Sequence, residues 1–92
     1  MRQDNIFMNQ LMAKLPTEIE SWEPERQLKY HCELYKEFCN KRLRWNGDDF
    51  DEFRDLEYTV DVLAEIIMHI VMEMHGYKKF GNEDDWQWQK HR

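Results

Sequence analysis

The sequence predicts an all-α protein: an antiparallel hairpin of two long helices, about residues 24–45 and 48–75, with a short N-terminal helix packed beside it. Three observations predict it. Phe50, Phe53, Leu56, Val60, Leu63, Ile67, Ile70 and Met74 recur at steps of three and four, the repeat of a single helical face. Asp48 and Asp49 precede that run and Gly76 follows it, where capping residues belong. Asn46-Gly47 then separates two helical patterns with residues able to take the left-handed backbone of a tight connection.

The elements follow in order. Ile6, Phe7, Leu11, Met12 and Leu15 make residues 4–15 a short amphipathic helix, with Asp4 or Asn5 as its cap and Pro16 as its stop. Thr17 and Glu20 are spaced as a capping box for one extra turn before Pro24, which suits the first turn of the next helix because its missing N–H costs nothing there. Along that helix Leu28, His31 or Cys32, Tyr35, Phe38, Cys39 and Leu43 form the side expected to be buried. Lys41, Arg42 and Arg44 near its end, and Asp48, Asp49, Asp51 and Glu52 at the start of the next, each complement a helix dipole. The final helix would be roughly 42 Å long at about 1.5 Å per residue. Its end, Ile66 to Met74, is apolar nearly all round, so it needs cover from the N-terminal helix or from a second copy of the chain. A homodimer is the economical arrangement.

Ninety-two residues allow one domain with a single core, here residues 1–81, followed by an acidic tail, 82–92, carrying Trp86 and Trp88. A net charge of −6 argues against binding to nucleic-acid backbones, which takes clustered Lys and Arg, and favours a basic protein partner. The run Ile66 to Met72 contains His69 and falls far short of the roughly 20 apolar residues that span a bilayer. With no signal peptide visible, the expected location is cytoplasmic and no membrane is involved. Cys32 and Cys39 are two helical turns apart, about 10 Å, too far for a disulfide, and no paired-cysteine zinc motif is present.

Asp61, Glu65, His69 and Glu73 follow one another at four-residue steps, as do Glu33 and Glu37, so carboxylates of facing helices could meet around a hard cation such as Mg²⁺. Spacing alone equally describes a solvated stripe. The stretches Cys32-Glu33-Leu34-Tyr35, Lys41-Arg42-Leu43-Arg44, the Asn46-Gly47-Asp48-Asp49 turn and Glu57-Tyr58-Thr59-Val60-Asp61-Val62-Leu63 add something more specific. Over about residues 22–74 the chain resembles the MazG-like all-α nucleoside triphosphate pyrophosphohydrolases, including their short phage-type members. That resemblance implies a helical hairpin completed by dimerisation, whose patterns EExxE and ExxD hold Mg²⁺ for attack of water on a triphosphate. Glu33 ends the first pattern and Asp61 the second, whereas Lys29, Tyr30 and Tyr58 stand where glutamates are expected. A neutral tyrosine, with a pKa near 10, is a poor Mg²⁺ ligand.

The function expected from these residues is a non-catalytic or weakly active MazG-like binding or inhibitory module, of the kind phages encode, with no cofactor. Its partner surface is Asp48, Asp49, Asp51, Glu52 and Asp55 with Trp86 and Trp88, since tryptophan is favoured as an interface anchor. The alternative is a Mg²⁺-dependent pyrophosphohydrolase, or a nucleotide binder without turnover, with Glu33, Glu37, Glu57, Asp61 and Glu65 as ligands and Tyr30 and Tyr58 facing the nucleotide.

Overall fold

The computed structural model describes residues 5–82 and 84–90. Helix α1, Ile6–Lys14, begins without a cap from its own Asn5. The Asp4 cap expected from sequence lies outside the described residues. After Pro16 a single 3-10 turn, Ile19–Ser21, is closed by the Ser21 hydroxyl, which donates to the Glu18 carbonyl at 2.7 Å. The Thr17–Glu20 capping box does not form, because the turn starts at Glu18 and has no side-chain cap. Helix α2, Pro24–Leu43, places Pro24 in its first turn as expected. Helix α3, Phe50–Met74, is capped by Asp49, whose Oδ1 accepts the N–H groups of Asp51 at 3.0 Å and Glu52 at 3.2 Å. It ends through His75 into Gly76, whose positive φ of 85° lets the chain leave the helix at once.

Residues 44–49 join α2 to α3 without any left-handed residue, which corrects the expectation for Asn46-Gly47. Gly47 serves another purpose: a Cβ there would lie 2.8 Å from Cζ2 of the Trp45 ring, so its missing side chain makes room for the indole. Trp45 in turn meets Phe7 edge to face at 6.4 Å and Phe53 at 6.0 Å, tying this connection to α1 and α3.

The core is one cluster, Leu11 from α1, Leu34 and Phe38 from α2, and Leu56, Val60 and Leu63 from α3. The three helices therefore share a single apolar seam, as the helical periodicity implies. Four positions expected on the apolar faces are exposed instead: Leu43 at 80%, Phe50 at 68%, Met12 at 61% and Met74 at 40%. His31 is buried and Cys32 exposed; the His31 Nδ1–H donates to the Gln27 carbonyl at 2.7 Å, satisfying the ring inside the helix.

After Gly76 the fold departs from all-α. Strands β1, Tyr77–Gly81, and β2, Trp86–Lys90, pair antiparallel, with Lys79 opposite Trp88 and Gly81 opposite Trp86. They pair across the expected boundary between residues 81 and 82. Asn82 Oδ1 accepts the N–H groups of Asp84 and Asp85, and Gly81 has a φ of 118° and would clash with the Asp85 carbonyl if it bore a Cβ. The protein is thus mainly α with one small hairpin. This hairpin packs on α3 through β1 and through Trp86 and Trp88 of β2, while α1 packs on α3 further toward its start. No helix is long and apolar enough to cross a membrane, among the residues described.

The molecule measures 49 × 29 × 23 Å, and its radius of gyration of 15.4 Å exceeds the roughly 12 Å expected for a compact chain of this length.

Candidate functional site

Helix α3 carries most of the chemistry, divided among separate hollows. Along it Tyr58, Asp61, Val62, Glu65, Ile66 and His69 line a groove of about 260 Å³. Positions 58, 61, 62, 65, 66 and 69 are spaced by one, three and four, so a continuous helix necessarily lays them along one side. Tyr58 is 60% exposed at one end of this groove. At the other end His69 stands edge to face with Trp88 at 5.2 Å and with Trp86 at 6.2 Å, and its Nε2 is buried without a hydrogen-bond partner. Lys79 Nζ sits 4.3 Å from the centre of the Trp86 ring.

A second hollow, about 520 Å³, is lined by Lys14, Tyr30, Glu33, Leu34, Lys36, Glu37 and Asn40. Lys14 pairs with Glu37 at 3.4 Å, and the Tyr30 hydroxyl donates to the Lys14 carbonyl. Tyr30 also meets Trp22 edge to face at 5.4 Å. Its position is fixed by these contacts, which pin the end of α1 onto α2.

The carboxylates expected to share a metal are thereby divided: Glu33 and Glu37 face Lys14, Asp61 and Glu65 face Tyr58 and His69, and Glu57 is exposed and lines neither hollow. No group of three or more His, Cys, Asp or Glu is placed to hold a metal ion among the described residues. A Mg²⁺ site takes several oxygens around one point, and the described residues of one chain do not gather them. Tyr30 and Tyr58, which only the nucleotide-binding alternative has facing a nucleotide, line different hollows.

The residues expected to form a partner surface are divided too. Asp48 and Asp49 line a third hollow, about 330 Å³, with Trp45, Gly47, Phe50 and Phe53. Asp49 is engaged as the α3 cap. Asp55 is half-buried and its Oδ2 accepts the Phe7 N–H at 2.7 Å, so it serves as the N-terminal cap that α1 lacks. Trp86 and Trp88 lie against His69, about 24 Å along the helix from Phe53.

Comparison with protein families, with curated proteins and with solved structures finds no match to this chain.

Two features escape sequence reasoning. A side-chain hydrogen bond with Cys39, one helical turn on, raises the Tyr35 phenol above its usual value, with the Cys39 charge, burial and Asp61 adding and Arg42 opposing. The four-residue spacing of Tyr35 and Cys39 is the signal for that contact. The apolar hollow at the α2–α3 connection also went unread, although Phe50 and Phe53 alternate with acids in Asp48-Asp49-Phe50-Asp51-Glu52-Phe53.

Proposed function

We propose that this chain is a non-catalytic or weakly active binding module, built on a MazG-like helical scaffold, that acts on another macromolecule as an accessory or inhibitor. Its surface carries this reading. The accessible area is 7301 Å², against about 5,800 Å² for a compact monomer of 11.5 kDa. The difference, about 1,500 Å², exceeds the roughly 800 Å² that each partner contributes to a standard protein interface. Tyr58, Phe50, Leu43, Met12 and Met68 contribute large apolar side chains to that surface. The net charge of −6 suits a protein partner with a basic face. A second copy of the chain, completing the bundle, is part of the same proposal, as are a phage origin and a cytoplasmic site of action.

The test has two arms. Purification at physiological salt, followed by titration of the purified partner, should give a defined stoichiometry, weakened by reversing the charges of Asp48 and Asp51. Incubation with the common and deoxy nucleoside triphosphates plus Mg²⁺ or Mn²⁺ should give no pyrophosphate, even at high protein concentration. Turnover would overturn the reading.

A second reading, nucleotide binding without turnover, is favoured by the groove that brings Tyr58 beside Asp61, Glu65 and His69. The exposed phenol offers a stacking face for a base. Calorimetric heat on adding a nucleotide, lost in Tyr58→Ala, would support it. Hydrolysis of the family type would in addition need carboxylates from a second chain, because Glu33 and Glu37 point into another hollow.

A further inference from the structure

Resting on the binding-module reading, we infer that the hollow at the α2–α3 connection is the docking point for a basic amphipathic segment of a protein partner, which inserts one large apolar side chain there. The acids alone would carry nothing, since Asp49, Asp51 and Glu52 are what the start of any helix favours. The hollow is the independent observation. Trp45, Phe50 and Phe53 line it together with Gly47, which packs against the indole, and its volume is about 330 Å³. That lies at the small end for a cofactor or drug-sized ligand and suits a single Leu or Phe anchor. Phe50 is left 68% exposed beside it, with only the Arg54 guanidinium leaning toward its ring at 5.8 Å.

Charge selects the occupant. Residues 48–57 hold six acids and one base. Asp49 and Asp55 are engaged in capping, but no ion pair among the described residues engages Asp48, Asp51 or Glu52. An apolar side chain entering the hollow therefore brings its neighbours within reach of three unmatched carboxylates, and Lys or Arg on either side of it would match them. A second copy of this chain, acidic overall, is a poorer match for the same spot.

The test uses the full chain and a synthetic helical peptide bearing one leucine flanked by lysines and arginines, followed by heteronuclear NMR. Shifts centred on the Trp45 indole N–H, Phe50 and Phe53 are expected. Replacing the peptide's leucine by alanine, or Phe50→Ser in the protein, should weaken binding by about tenfold or more, and raising the salt from low to physiological should weaken it several-fold. Phe50→Ser is chosen because the ring is exposed; Asp48→Lys, also exposed, provides a second variant with an expected loss in the same direction. The inference is overturned if the shifts map to Tyr58–His69, if binding ignores both variants, or if the hollow's resonances move with protein concentration alone, which would make a second copy the occupant. Absence of shifts at the connection while a purified partner still binds would sink this location and leave the module reading standing. Nucleotide turnover would overturn the module reading and, with it, the basis of this inference.

Discussion

Asp55 Oδ2 accepts the backbone N–H of Phe7 at 2.7 Å, so a side chain in α3 caps α1 across an interval of 48 residues. The bond complements the positive end of the α1 dipole. Asp55→Ala should lower stability by about 1–2 kcal/mol. Amide hydrogen exchange should rise first at residues 7–11 while the α3 core stays protected; uniform loss of protection would show that α1 and the helical pair unfold as one unit.

Gly47→Ala places a methyl 2.8 Å from the Trp45 ring, against an indole already held by Phe7 and Phe53. Overpacking of this kind costs about 1–3 kcal/mol. Urea unfolding measures it, and a change in Trp45 fluorescence should accompany it. An unaltered midpoint would mean that the ring moves aside at little cost.

His69 joins the hairpin to α3 through two edge-to-face contacts with Trp86 and Trp88. Each such pair contributes about 0.5–1.5 kcal/mol, and a two-stranded hairpin is marginal by itself. In His69→Ala the tryptophan emission should shift red and strand β2 should exchange quickly, with helical circular dichroism nearly unchanged.

Tyr30→Glu with Tyr58→Glu supplies two acids that the proposed MazG-like scaffold would carry at these positions. The new acids would enter different hollows, one beside Lys14 and the other beside Asp61 and Glu65. Calorimetry with Mg²⁺ should therefore show no tight site, and losing the Tyr30 bond to the Lys14 carbonyl should cost about 1 kcal/mol. Stoichiometric Mg²⁺ binding would show that the hollows rearrange into one.

The raised pKa of Tyr35 predicts an alkaline loss of stability. The native state favours the neutral phenol held beside Cys39, so this contribution is complete below the unfolded value near 10 and is lost as pH rises through the higher folded value. Comparison with Tyr35→Phe isolates it: the wild-type chain should lose more stability than the variant above about pH 10. Parallel pH profiles would remove Tyr35 as the cause.

Much of the helical framework was legible because periodicity and caps agree. Leu56, Val60 and Leu63 mark a face, Asp49 and Gly76 mark its limits, and the structure uses all five so. The hairpin was missed, though Trp86-Gln87-Trp88-Gln89 alternates with the period of a strand; its polar composition read as a tail. The site was harder still. Four-residue spacing puts Glu33 and Glu37 on one side of α2, and Asp61 and Glu65 on one side of α3, but says nothing about how each helix is rotated about its own axis. Leu11 of α1 joins the core of the pair, and the two sets of acids line different hollows.

The Asp55 cap also bears on the order in which the chain assembles. Helices α2 and α3 close over residues 44–49, whereas α1 must find Asp55 across a far longer span, and loop-closure entropy grows with that span. Loop closure therefore predicts that the helical pair forms first and that α1 docks later, bringing Leu11 into the cluster with Leu34 and Phe38. Until it arrives, the nascent molecule is an open-sided pair of helices and is at its most prone to stick to other chains.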